Sequence, residues 1–421
     1  MFDDFKLAWR NVWRNTRRSV VTMAAAAIAL FVMILYTGLA NGYLERLEGT
    51  ILDLEVGDAQ VFAEGYREKP SLYTAIRAGE GQDEGALDAA FAKLEAEGFE
   101  AAPRLLGVGL GASEDNSAGI QMIGIDVAAD KDVGKIHERV FEGEWLSADE
   151  PGVVIGHRLA DSLGLEVGGE LVVLSQGADG SMANDLYPVR GILGGVSERV
   201  DRAGVFMRGE DFRELMVFYE GVHQVILRVP EQPDAPDKGL KAGAERAQAI
   251  LDEAGVEQAQ VSTWRELQPG LASMLETSAA GLAVMMAIIY VAVGIVVLNA
   301  MLMAVFERTR EFGVLKAIGF GPMKVLRLIL IETAIQGVFA VSAGVLLAIP
   351  ANYYMVHTGL DMSGDGNLSV MGMSIDPIWH SVVTLDTYLT PAIALIVIIA
   401  LSVLYPALRA AFIQPLSALR D

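Results

Sequence analysis

The sequence predicts an α-helical membrane protein with four transmembrane helices and one large α+β domain outside the cytoplasm, inserted between helices 1 and 2. Two observations predict it. The chain is 52% apolar yet 20% charged, and the two kinds of residue occupy different stretches. Its basic residues outside the 45–270 segment also gather at three places, which sets an orientation.

The N-terminal segment 1–19 (FDDFKLAWRNVWRNTRR from residue 2) has helical periodicity. Phe5, Trp9, Val12 and Trp13 fall on one face, and Lys6, Arg10, Arg14 and Arg17 on another. Aromatic side chains opposite arginines predict a helix lying in the headgroup layer, in contact with the bilayer.

A spanning helix needs about 20 mostly apolar residues. Four stretches qualify: Val20 to Gly42, Ala279 to Phe306, Val325 to Ala351 and Leu389 to Tyr405. With their flanks they predict spans at 20–44, 272–306 (with a stalk), 325–351 and 389–405. The first is too long, and its basic lead too extended, for a cleaved signal peptide.

Twelve Lys and Arg lie outside 45–270, all at the N-terminus, in 307–324 and just past it at Arg327, or in the 406–421 tail. The 352–388 loop has none, and it carries four Asp. The bias of basic residues toward the cytoplasm predicts cytoplasmic termini, and it predicts an external 45–271 domain and 352–388 loop. Most of the net charge of −22 is then external.

Inside 45–271, GVVIGHRLADSLGLEVGGELVVLS reads strand, helix, turn, strand. YPVRGILGGV is a strand with Pro188 near its start, and HQVILRVP one that ends at Pro230. LDAAFAKLEAEG and LKAGAERAQAILDEAG are amphipathic helices, the second with Gly255 placed to cap it. This is an α+β domain of one or two lobes. The polar stretch 175–188 (SQGADGSMANDLYP) predicts a projecting hairpin or loop. Gln176, Gly177, Asp179, Ser181, Met182 and Asn184 are its candidate partner contacts, weighed equally against an exposed hairpin without a role.

The 307–324 loop (ERTREFGVLKAIGFGPMK) is short, carries both charge signs and has an apolar stripe of Phe312, Leu315 and Ile318 beside Val314. Gly319 and Gly321-Pro322 stop it. Such a helix suits a groove on a soluble partner. Glu332 lies within the third span, and the expectation is that it pairs with Arg308 or Arg327.

No catalytic pattern is present. There is no G-x-x-x-x-G-K-[ST], G-x-S-x-G or H-E-x-x-H, and Cys is absent. The five histidines have no ligand spacing. No catalytic residue, metal site or cofactor of its own is expected for the chain, and no nucleic acid partner.

FERTREFGVLKAIGFGPMKVLRLILIET resembles the shared signature of ABC transporter permeases of the MacB/LolC/FtsX type (type VII). LAWRNVWRNTRRS and YPALRAAFIQPLSALR resemble the two ends of that family. GDAQVFAEGYREKP, MIGIDVAADKD, FEGEWLS and GVVIGHRLADSLGLEVGGEL resemble its MacB-like periplasmic core domain, in the LolC/LolE version. The resemblance implies a permease dimer, with an identical chain or a homologue, on two copies of a cytoplasmic ATPase that holds ATP and Mg. It also implies an inner-membrane location in bacteria and mechanotransmission to the periplasm. Residues matching the coupling helix are Glu307, Arg308, Arg310, Glu311, Phe312, Gly313, Leu315, Lys316 and Gly319. The cargo implied is a lipoprotein, passed to a periplasmic carrier; the family's carrier hook maps to the Gln176–Asp185 region, here short and without its proline-containing sequence. The alternatives are MacB-like export with an adaptor and FtsX-like control of a cell-wall hydrolase.

Overall fold

The computed structural model describes residues 2–14, 16–77, 85–232, 239–256, 258–361, 369–370, 373–374 and 378–412. Two compact units divide the chain. A helical unit holds Met1–Arg46, Leu275–Gly364 and Pro377–Asp421; a sheet unit holds Leu47–Met274 and Asp365–Asp376. Residues 413–421 of the expected tail, and 362–368, 371–372 and 375–377 of the expected 352–388 loop, lie outside the described residues.

Along the chain come α1 (Phe2–Arg14), α2 (Thr16–Ile51), a π-helical turn Leu52–Val56, β1 (Ala59–Ala63), α3 (Ala86–Ala96), β2 (Glu100–Ala112), β3 (Ser117–Ile125) and α4 (Val127–Val133). Then follow β4 (Val140–Gly143), β5 (Val153–Gly156), α5 (His157–Leu163), β6 (Glu170–Gln176), β7 (Met182–Leu193), α6 (Glu198–Ala203), β8 (Gly204–Arg208), α7 (Gly209–Met216) and β9 (Gln224–Arg228). Next are α8 (Leu240–Glu253), β10 (Ala259–Thr263), α9 (Trp264–Leu267), α10 (Pro269–Phe306), α11 (Thr309–Ala317) and α12 (Pro322–His357). Two short ladders, β11 (Leu360–Asp361) with β14 (Ile378–Trp379) and β12 (Ser369–Val370) with β13 (Met373–Ser374), precede α13 (Leu385–Phe412).

Helices α2, α10, α12 and α13 are each long and apolar enough to cross a membrane. Even α13, with 28 residues, reaches about 42 Å at 1.5 Å per residue, against a hydrocarbon core of about 30 Å. All four outrun the predicted spans, because the intrahelical ladder continues into flanks that apolarity alone does not mark. Their shared core is Leu30, Met33 and Ile34 of α2, Val297 and Met301 of α10, Ala348 of α12 and Leu395 of α13. Gly344 lets α2 approach α12 closely: a Cβ there would stand 2.9 Å from the Ala27 carbonyl oxygen.

The sheet unit is built on one ten-stranded sheet in the order β10-β1-β9-β2-β3-β8-β5-β7-β4, with β6 pairing to β2 and β7. The β3–β8 and β5–β7 pairs are parallel and the remaining pairs antiparallel. Strand alternation divides the core between its two faces. Met122, Val153, Ile155, Val205 and Met207 pack in one cluster; their chain neighbours Ile123, Val154 and Phe206 pack in the other. The choice between one lobe and two is thus settled as a single sheet with a core on each face. Pro188 sits inside β7 rather than near its start, since the ladder with β6 already begins at Met182. α8 ends one residue before the expected cap: Ala254 is the C-cap, and Gly255 follows it at φ 73°, where the chain turns away.

His223 is fully buried in this unit, beside Phe218, Tyr66 and Phe212. The Leu106 amide donates to its Nδ1 (3.1 Å), so Nε2 carries the proton and donates to the Leu72 carbonyl (2.9 Å). Burial pushes this imidazole below its ordinary pKa, more than the Leu72 bond raises it.

Candidate functional site

The 307–324 segment folds as α11 and its two turns. Glu311 lies in the first turn and Lys316 in the last, each complementing the helix dipole. Gly319 leaves the helix at φ 102°, which favours glycine, and Pro322 opens α12 at a position that needs no amide.

The inner face of α11 is closed by an ion network. Arg308 is buried, and its Nη1 donates to both carboxylate oxygens of Glu332 on α12 at 2.5 Å. Its Nε donates to Glu311 (3.0 Å), and Glu311 also accepts from Arg14 of α1 (2.6 Å). Burial alone would lower the Arg308 pKa; the Glu332 and Glu311 bonds reverse that and raise it. Burial likewise raises the Glu311 carboxyl, but Arg308 and Arg14 outweigh this and hold it below the usual carboxylate range. Of the two partners expected for Glu332, the fold selects Arg308. Arg327 instead stands 3.7 Å from Asp4 of α1.

The expected docking stripe divides. Phe312 is 1% exposed, packed with Val305, Val325, Ile329, Val403 and Ala407. The Arg308 guanidinium lies 5.2 Å from its ring centre. Phe312, Gly313 and Arg308 are therefore unavailable to a partner, because α12 and α13 cover that side. Leu315 and Lys316 are half-buried. Arg310, Val314, Ile318 and Gly319 face outward, with Ile318 at 74% exposure. Glu307 is exposed and lies 3.6 Å from Arg18.

On α1, Phe5, Trp9 and Trp13 are exposed and in aromatic contact in sequence, with Trp9 and Trp13 also against Phe339 of α12. Arg10 is exposed, and Arg14 is held by Glu311. Val12 leaves the aromatic face assigned to it and is buried with Ala8 against Leu328 and Ile335 of α12. Sequence reasoning missed this contact, though Ala8 and Val12 stand at i, i+4.

The 175–188 stretch is mostly paired strand. Gln176 faces Met182 and Leu174 faces Asn184, which leaves a tip of residues 177–181. The tip is tied down: Gly177 is buried, and the Ala178 amide donates to the Met216 carbonyl (2.7 Å). Gln176, Asp179, Ser181, Met182 and Asn184 are exposed, Met182 at 83%. The Ser181 hydroxyl and amide hold the Asp179 carboxyl below its ordinary range.

At the opposite end of the helical unit a buried polar cluster went unnoticed in the sequence. Asn352 of α12 accepts from the Ser381 hydroxyl (3.3 Å) and donates to the Tyr388 hydroxyl (3.2 Å), and Val382 bonds back to Gly38 of α2 (3.0 Å). No spacing links these residues; only the fold brings them together. Among the described residues, no group of His, Asp and Glu is placed to hold a metal ion.

Residues 283–415 match the family described as FtsX-like permease C-terminal. Over 424 residues the chain is 22% identical to the lipoprotein-releasing system transmembrane protein LolC of Neisseria meningitidis serogroup B, covering 97% of this chain and 95% of that one. It is 31% identical over 138 residues to the ABC transporter permease YtrF of Bacillus subtilis, across 32% of this chain and 30% of the relative. The periplasmic region of MacB from Actinobacillus actinomycetemcomitans superposes with a TM-score of 0.36 and 10% identity, over 51% of this chain and 92% of that one.

Proposed function

The chain belongs to the MacB/LolC/FtsX family of ABC transporter permeases, and from that premise we propose that it converts the motion of a separate ATPase into movement of its external domain, to release lipid-anchored proteins from the bacterial inner membrane. Permeases of this kind work with a cytoplasmic ATPase. In this reading the termini and α11 face the cytoplasm, the sheet unit lies in the periplasm, and two permeases share two ATPase copies.

The observation that carries the proposal is the two-sidedness of α11. Its outer face offers Arg310, Val314 and Ile318 to a partner. Its inner face is fastened to α12 through Arg308–Glu332 and to α1 through Glu311–Arg14. A push on the outer face would then pass to α12 through the buried Arg308–Glu332 pair, which is costly to break, and to α1 through the more exposed Glu311–Arg14 bond. ATP hydrolysis stays with the partner, and this chain supplies the lever. Lipoprotein as cargo is supported by the likeness to LolC, which runs nearly the full length of both chains.

The test is purification from native membranes in mild detergent. A soluble ATPase with a Walker A loop should co-purify stoichiometrically. The Val314→Glu/Ile318→Glu variant should lose it while melting at the same temperature. If no ATPase appears even after crosslinking, the docking role of α11 is wrong. If the ATPase co-purifies without any lipoprotein, the cargo assignment fails and the lever reading stands.

A further inference from the structure

Between the first turns of α2 and the last turns of α10 lies a cleft of about 760 Å³. This is within the range of ligand sites, about 300–1,000 Å³. Arg14, Arg17 and Arg18 form its rim; Val21, Ala300 and Met303 form an apolar wall. From Arg17 to Thr22, the last α2 residue in the lining, the helix climbs about 7.5 Å at 1.5 Å per residue. The site is therefore charged at its mouth and apolar about a turn and a half further in.

The charges on its rim are not all spent. Arg14 is bonded to Glu311, and Arg308, also in the lining, to Glu332 and Glu311. Arg18 is ion-paired with Glu307 at 3.6 Å, a distance too long for a hydrogen bond, so its N–H donors remain open. Arg17 has no hydrogen bond or ion pair to any described residue. Two guanidiniums with open donors above an apolar wall match a phosphodiester joined to a glyceryl ester. Guanidinium forks pair well with phosphate oxygens, and basic pockets between spanning helices on the cytoplasmic side suit anionic headgroups.

We propose that this cleft holds one anionic phospholipid, with its phosphodiester on Arg17 and Arg18 and its glycerol region against Val21, Ala300 and Met303. The apolar wall disfavours a free phosphate, which would leave it uncovered. The bound lipid would bridge the start of α2 and the end of α10, whatever the cargo. The proposal rests on the membrane setting and the cleft alone, so loss of the ATPase in the preceding test leaves it intact.

Native mass spectrometry tests it on the full chain, with whatever partners co-purify, in mild detergent supplied with equal phosphatidylglycerol and phosphatidylcholine. One phosphatidylglycerol per chain should be retained, at least about tenfold over phosphatidylcholine, the ratio for one well-formed charged contact. Arg17→Glu should abolish the preference, and Met303→Trp should lower retention by filling the wall, both with unchanged melting in phosphatidylcholine alone. Equal retention of the two lipids, or full retention by both variants, overturns the proposal. Displacement of the lipid by millimolar inorganic phosphate overturns it in favour of a simple anion site. A change in the number of chains per complex in Met303→Trp, without lipid loss, overturns it in favour of an interface between copies.

Discussion

Removing Arg308 should be among the most damaging single changes in the helical unit. Its side chain and that of Glu332 are each 7% exposed, and two 2.5 Å contacts join them. Arg308→Ala strands the Glu332 carboxylate between helices, with no described cation to replace the lost one: Arg327 is engaged by Asp4 and Arg14 by Glu311. Breaking a buried pair from one side costs about 3–5 kcal/mol. Glu332→Gln should cost less, about 1.5–3 kcal/mol, the range of one hydrogen bond to a charged group, because Arg308 keeps Glu311. The double replacement Arg308→Met/Glu332→Leu removes both charges and fills their space, so it should recover most of the loss. Thermal melting in one detergent ranks the variants, and ATPase stimulation in the assembled complex reports the lever. The double variant should fold yet transmit poorly, since an apolar contact slides where an ion pair holds. If Arg308→Ala melts within about 1 kcal/mol of the parent, the pair is no stronger than an exposed salt bridge, and the fastening argument fails. If the double variant is as unstable as the single, stranded charge is not the cause.

Three further outcomes follow from the geometry. Gly344→Leu forces a Cβ to within 2.9 Å of the Ala27 carbonyl and adds bulk against Leu30; it should lower stability by about 1–3 kcal/mol or more, read by melting. The buried neutral His223 makes the sheet unit acid-sensitive. Its pKa is depressed on folding, so its stabilisation is complete above the unfolded-state value of about 6.5 and declines as pH falls toward the folded one. Urea midpoints followed from pH 7.5 to 5 should show this decline, and a flatter profile is expected for His223→Phe. At the hairpin, Asp179→Ala/Met182→Ala should leave melting and ATPase activity unchanged but slow transfer of cargo; unchanged transfer would make the tip an ordinary surface turn.

Much of the architecture was legible before any coordinates. Long apolar runs marked the four helices because a bilayer needs length and apolarity, and both are written directly in composition. The alternating pattern of GVVIGHRLADSLGLEVGGELVVLS placed β5, α5 and β6, since local periodicity reports local structure. The pairing of Glu332 with an arginine also followed from the sequence, because a carboxylate in an apolar span requires a partner. What remained for the tertiary structure was the choice among neighbours. Periodicity put Phe312 and Ile318 on one stripe, yet only the packing of α12 and α13 buries the first and leaves the second bare. Val12 shared a face with the tryptophans until α12 supplied a groove for it. The strand order, the core on each face of the sheet and the Asn352–Ser381–Tyr388 cluster join residues far apart in the chain, and spacing along the chain carries no information about such contacts. The sequence by itself determined the four long apolar helices, α11 and part of the strands and helices of the sheet unit. The tertiary structure alone decided what covers each face, and so which residues are left to meet a partner.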